Sequence, residues 1–493
     1  MRHASFLDRR RAGVLLHPTS LPGRAGWGDL GSEAYRFVDF LVETGFTIWQ
    51  MLPLAPTHAD GSPYLCLSVH AGNPRLISLE LLIKWEWLER EACARNKKIT
   101  VDHHSRCLRQ ARREFSQHAS AADRKALQAF TETEAHWLDD YALYEALRRE
   151  NQGKPWWQWP VPLRDSEPSA LDAARTRLAD VTAQVCFEQY VFSRQWQALK
   201  SYANERRILL FGDMPIFCAH DSAEVWAHRA YFTLDDDGQS TFVAGVPPDY
   251  FSATGQRWGN PLYRWDRMQA DGFRWWIARL GTEFARFDLI RLDHFRGFEA
   301  YWEIPAKEKT AVNGRWVKAP GNGLFKTLSH HFGALPLVAE DLGYITPEVR
   351  ALREKYALPG MRVLQFAFEG GADNPYLPHH HESHAVVYTG THDNDTSRAW
   401  FESLSVKKQR YVLDYLGHAG EPMPWPLIRA ALASVALLAM LPMQDVLLLG
   451  SGHRMNRPGT KTDNWRWRFD WQQVSSELTQ KLRHLINLYG RDG

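Results

Sequence analysis

Four acidic residues lie at or near the ends of short apolar runs: Asp213 in RILLFGDMPIF (207–217), Asp293 in FDLIRLDHF (287–295), Glu340 in LPLVAEDLG (335–343) and Asp393, after His392, in AVVYTGTHD (385–393). A cap or a solvated loop would explain any one of them. Four carboxylates converging on one rim repel each other, and strand-end positions of this kind read as a working site. In DLIRLDHF, alternation puts Leu289, Arg291 and Asp293 on one face, with Ile290 and Leu292 on the other. A guanidinium beside Asp293 favours the ionised carboxylate that a nucleophile needs. Glu340, near that anion, is then favoured in its protonated form and suits a general acid. Two carboxyls driven apart in this way cleave glycosidic bonds. Metal binding is the rival use of clustered Asp, Glu and His, but imidazoles are sparse at these strand ends.

The elements that must carry these residues recur along the chain. Beside the four runs above stand GVLLHPTS (13–20), TIWQMLPLAP (47–56), GMRVLQFAF (360–368) and DVLLLG (445–450), which makes eight strands expected to be buried on both faces. Helical patterns separate most of them. SEAYRFVDFLVETG carries Tyr35, Val38, Leu41 and Val42 at helical spacing, with Ser32 as expected cap and Gly45 as stop. TPEVRALREKYALPG opens with Thr346 and Pro347. Eight strands alternating with helices predict an α/β fold, a (β/α)8 barrel spanning 1–493 with no separate C-terminal β-domain. The long gaps read as insertions: 76–172 mainly helical, with a helix over 187–203 leading back to the third strand. Residues 218–262 read as a loop subdomain covering the site, because VPPDYFSATGQRWGNP is too rich in Pro, Gly and Asn for helix.

Composition excludes several partners. The chain has 493 residues, about twice a lone barrel, and a net charge of +2, which supplies no field to hold nucleic acid or an anionic membrane. The apolar stretch 430–441 is too short to span a bilayer, and the basic start MRHASFLDRRRAG lacks a signal peptide's apolar core. Five cysteines without CxxC spacing suit reduced thiols and a cytoplasmic location. The 21 Trp, 17 Tyr and 24 Phe serve packing first, and could also stack sugar rings. GWGDLG (26–31) matches a dinucleotide fingerprint but sits past its strand without the ribose-binding acid. HHHESH (379–384) lacks zinc-protease spacing, and DDDG (235–238) lacks the other ligands of a calcium loop.

Nearly the whole chain, from residue 17 to 468, resembles the 4-α-glucanotransferases of the amylomaltase (disproportionating enzyme) type, glycoside hydrolase family 77. The matching blocks are HPTSLPGRAGWGDLG, WQMLPLAPT, DGSPY with AGNP, GDMPIF, VAGVPPDYFSATGQRWGNP, IRLDHFRGF, AEDLG, THDNDT and RMNRPGT with NWRWR, in family order. The resemblance implies a retaining enzyme without metal or organic cofactor, moving α-1,4-glucan segments from a maltooligosaccharide donor to the 4-OH of a glucose or glucan acceptor. By motif, Asp293 matches the nucleophile, Glu340 the acid/base and Asp393 a third acid that holds sugar hydroxyls. Tyr64, Asp213, Arg291 and His392 match residues around the cleaved sugar. Asp249, Gln256 and Trp258 match the acceptor-side loop, and Asn464 a donor-side contact. The alternatives are a hydrolase using the same carboxylates and a non-catalytic glucan-binding protein. One segment departs from the pattern: the family commonly reads QSFSAFAGNP after Tyr64, whereas this chain reads LCLSVHAGNP, placing Leu65, Cys66, Val69 and His70 there. That departure bears on chain-length preference beside Tyr64.

Overall fold

In this computed structural model residues 8–93, 99–248, 252–417, 420–460 and 462–492 are described. Their strands, in chain order, are β1 (Arg11–Leu15), β2 (Ile48–Gln50), β3 (Leu209–Met214), β4 (Phe242–Val246), β5 (Gln256–Pro261), β6 (Leu289–Leu292), β7 (Ala300–Pro305), β8 (Arg315–Lys318), β9 (Leu337–Ala339), β10 (Gly360–Val363), β11 (Ala385–Tyr388) and β12 (Leu438–Pro442). Eight form one sheet in the order β10-β11-β12-β1-β2-β3-β6-β9. Every pairing within it is parallel. Its two ends meet where the Ala339 N–H donates to the Pro359 carbonyl at 2.8 Å, giving the expected (β/α)8 barrel.

Side-chain alternation separates inside from outside. Ile48, Phe211, Leu289, Val338, Met361, Val386, Leu438 and Met440 pack together as one buried cluster. The residues next to them, including Trp49, Leu210, Ile290, Val387 and Ala439, join the larger core shared with the helices. β1 fits between β2 and β12 because residue 13 is glycine. A Cβ there would lie 2.6 Å from the Ile48 Cβ and 2.7 Å from the Met440 Cε.

The eighth strand differs from expectation. It is β12, LAMLP, and the run 445–450 begins instead in a short helix, Met443–Val446. A short apolar run fits a buried strand and a buried helix equally well by pattern. Tertiary contacts decide it: the buried Asp445 carboxylate accepts from Thr389 Oγ1, Ser397 Oγ and the Ser397 N–H, a role that follows from helical placement. The first long helix spans Ser32–Thr44 and stops at Gly45 (φ 85°) as read, but its cap is Gly31. Ser32 Oγ donates to Glu80 instead, at 3.0 Å, and Val42 is 40% exposed.

Between β2 and β3 lie helices Leu79–Lys84, Val101–His118, Ala121–Glu150 and Pro168–Arg177, then Ala179–Glu205, which starts earlier than read and leads into β3. The segment 218–262 is more than loop. β4 and β5 pair antiparallel within it, and β7 and β8 extend them to a second sheet, β5-β4-β7-β8. Among the described residues no helix is long and apolar enough to cross a membrane.

Candidate active site

The site begins with strand register. β3 and β6 pair so that Asp213 stands beside Arg291, and both side chains are buried. Arg291 Nη1 lies 2.8 Å from each oxygen of Asp213 and 2.9 Å from Asp293 Oδ1. One guanidinium therefore neutralises two carboxylates, and the inward face read from DLIRLDHF places them. Burial alone would lower the Arg291 pKa, but Asp213 and Asp293 more than reverse it, so it stays charged. Burial raises the Asp213 pKa, with Arg291 opposing. The Tyr64 hydroxyl donates to Asp213 Oδ2 at 2.8 Å, and its ring lies 5.2 Å from that of His392, stacked at 18°.

Glu340 follows β9 directly. Its Oε2 accepts from the His294 N–H at 2.8 Å and its Oε1 from the Leu342 N–H at 3.0 Å. Its pKa is pushed up to about 7, by burial first and by the Asp293 charge second, against Arg291 and the two amides. Desolvation is thus a larger cause than the neighbouring anion expected from the sequence. His294, missed as a site residue, makes this possible. It sits immediately after Asp293 in left-handed conformation (φ 53°), and its N–H donates to Glu340. Its imidazole meets the Trp258 ring edge-on at 4.8 Å, 87°.

Asp393 lies five residues past the end of β11. Asn456 Nδ2 donates to Asp393 Oδ1 at 2.6 Å, the Asn456 N–H donates to the His392 carbonyl, and His392 Nε2 lies 3.4 Å from Asp393 Oδ1. Asn456 belongs to the RMNRPGT block, which was the only sequence signal for it. Trp258 and Gln256 stand on β5, joined by a 3.1 Å bond from Trp258 Nε1 to Gln256 Oε1. Asp249 lies outside the described residues. Asn464 accepts from the Arg457 N–H and donates to the Thr460 carbonyl, pinning its own turn. Its neighbour Trp465 reaches the centre, 6.0 Å from both Tyr64 and His392.

The structure thus gathers Tyr64, Asp213, Arg291, Asp293, Glu340, His392 and Asp393 at the carboxyl ends of β3, β6, β9 and β11. Trp258 joins through His294. Among the described residues no three His, Cys, Asp or Glu side chains converge as metal ligands. The arrangement offers a paired, charged carboxylate beside one that holds its proton near neutrality, the requirements of covalent glycosyl transfer.

Comparison with known proteins agrees with this chemistry. Residues 16–474 match the family described as 4-alpha-glucanotransferase. The chain is 51% identical to the 4-alpha-glucanotransferase of Thermus thermophilus over 488 residues, covering 96% of this chain and 97% of that one. It is 47% identical to that of Synechocystis sp., covering 99% of each. The amylomaltase from Streptococcus agalactiae in complex with acarbose superposes with a TM-score of 0.95 at 36% identity, covering 98% of this chain and all of that one. An amylomaltase from Corynebacterium glutamicum shares the fold at 18% identity, with a TM-score of 0.79.

Proposed function

The chain belongs to glycoside hydrolase family 77, the 4-alpha-glucanotransferases, and from that premise we propose how its residues divide the work. The protein moves α-1,4-glucan segments from a maltooligosaccharide donor to the 4-OH of a glucose or glucan acceptor, with retention. Asp293 attacks the anomeric carbon while Glu340 delivers its proton to the departing O4. The glycosidic C–O bond breaks and a glycosyl ester forms. The acceptor 4-OH then returns a proton to Glu340, attacks the same carbon and releases Asp293. Asp393, held by Asn456, binds sugar hydroxyls. Tyr64, Asp213, Arg291 and His392 surround the cleaved sugar. Asp249, Gln256 and Trp258 receive the acceptor, and Asn464 contacts the donor.

One observation carries this division: Arg291 bridges Asp213 and Asp293 while the adjacent Glu340 holds its proton to about 7. The helical segment 76–172 and the segment 218–262 serve as insertions on a single barrel spanning 1–493, the latter covering the site. The cytoplasm is the proposed compartment, supported by the thiols of Cys66, Cys186 and Cys218, which form no disulfide among the described residues.

Maltotriose tests the function by counting bonds. Transfer breaks one glycosidic bond and makes another, so glucose and a ladder of longer oligomers appear at constant reducing ends. Reducing ends that rise in step with substrate loss would make the protein a hydrolase.

A further inference from the structure

Of the four acids at the site, Asp393 alone is not placed by a strand end. Asp213 stands on β3, and Asp293 and Glu340 directly follow β6 and β9, but Asp393 lies five residues past β11. Its side chain is 45% exposed. A carboxylate on such a turn has to be held from outside it, because a site works only while its groups keep their places to within about 0.5 Å.

The buried Asp445 carboxylate holds the ends of the turn. It accepts from Thr389 Oγ1 at 2.6 Å, and from the Ser397 Oγ and N–H at 2.6 and 2.8 Å. Those partners lie four residues before Asp393 and four after it. The middle of the turn is supported by residues 454–456. Met455 is buried against Leu15 and Leu52, and its carbonyl accepts from the Trp465 N–H at 2.8 Å. On either side of that anchor, Arg454 and Asn456 both reach the turn. Arg454 Nη2 donates to the Asp393 carbonyl, and its Nε donates to the Asn456 carbonyl at 2.6 Å. Asn456 Nδ2 in turn donates to Asp393 Oδ1 at 2.6 Å. One guanidinium therefore ties together the backbones of the two residues whose side chains meet, a task that suits arginine's rigid fork of donors.

We propose that Arg454 is a positioning residue for the transfer reaction: it sets Asn456 against Asp393 and so fixes where the Asp393 carboxylate meets the sugar hydroxyls. This rests on the role given to Asp393 above. Arg454 acts through that carboxylate, and its removal leaves Asp445 still holding both ends of the turn.

A double-mutant cycle read by steady-state kinetics on maltotriose tests this. Arg454→Ala should lower kcat about a hundred-fold, the scale of loss when a working group shifts by about 1 Å. Arg454→Lys should recover part of it, because an ammonium can still hold one carbonyl. Asp393→Asn removes the carboxylate but keeps the carbonyl that Arg454 holds. In that background Arg454→Ala should cost less than about two-fold more, whereas the two losses multiply if the arginine is merely structural. Losses that multiply, or an Arg454→Ala kcat within about two-fold of native, overturn the proposal. If Arg454→Ala does not fold, Arg454→Lys carries the same cycle. Full activity in Asp393→Asn would count against the role of Asp393 alone. The crystal structure of the Arg454 variant then decides the positioning separately: a broken bond from Asn456 to Asp393 supports it, and an intact one overturns it.

Discussion

Asp293 and Glu340 differ chemically because of what each touches. Asp293 shares a guanidinium with Asp213, whereas Glu340 pays burial against two amides and keeps its proton to about 7. Two substitutions separate their roles. Asp293→Asn should lower turnover by several orders of magnitude on every substrate while leaving the protein folded, since no ester can form. Glu340→Gln should fail on maltotriose yet recover with a glucosyl fluoride, whose leaving group needs no proton. Equal losses on both substrates would contradict the acid role. The kcat/KM of the native protein should fall as pH rises through about 7, because the free enzyme must carry that proton. Stability follows the same sign. The carboxyl binds its proton more tightly folded than unfolded, where its pKa is 4.5. Its contribution is therefore full below 4.5 and lost as pH rises through about 7. Urea melts of the Glu340→Gln protein should show that part of the pH dependence removed.

At the scale of elements, the junction after β6 does two jobs through one residue. His294 holds a left-handed φ of 53° at the turn where its N–H donates to Glu340, and its ring abuts Trp258 on β5. Asparagine tolerates that conformation, whereas a β-branched residue is strained there by about 1–3 kcal/mol. His294→Val should therefore lose the amide contact, lower thermal stability and move the alkaline limb of the pH profile upward, because an amide favouring the ionised carboxyl is gone. His294→Asn should keep the limb but loosen Trp258, so that a larger share of turnover ends in hydrolysis. Identical pH profiles in both variants, measured on maltotriose, would show that the backbone turn does not tune Glu340.

At the scale of the molecule, Arg11 on the first strand and Arg491 after the last helix are fastened together beside the barrel. Arg491 is wholly buried and meets no carboxylate side chain among the described residues; its guanidinium donates to the carbonyls of Leu432 (2.6 Å), Ser434 (2.6 Å), Ala436 (3.0 Å) and Arg11 (3.0 Å). Those carbonyls lie on the approach to β12 and on β1, whose pairing joins the last barrel strand to the first. Arg491→Ala leaves several of them unpaired and opens a void, so a loss of about 3 kcal/mol is expected in chemical denaturation. Arg491→Lys should recover part of it, since one ammonium reaches fewer of the carbonyls. An unchanged unfolding midpoint in Arg491→Ala would show that the clasp is incidental.

Period-two alternation and strand-end position are local properties, so the barrel, the inward turn of Arg291 and Asp293, and the placement of Asp213 and Glu340 were legible from the chain alone. Motif blocks added Tyr64, His392 and Asp393, which no periodicity marks. The eighth strand was not legible, because apolar runs at 438–442 and 445–450 look alike until Asp445 finds Thr389 and Ser397 across the fold. His294 and Asn456 escaped for a related reason: their work lies in a backbone N–H and a bond spanning 63 residues. Whether a residue types as catalytic can be read where it stands; what holds it at its distance, and how far burial moves its pKa, exists only once distant segments pack against it.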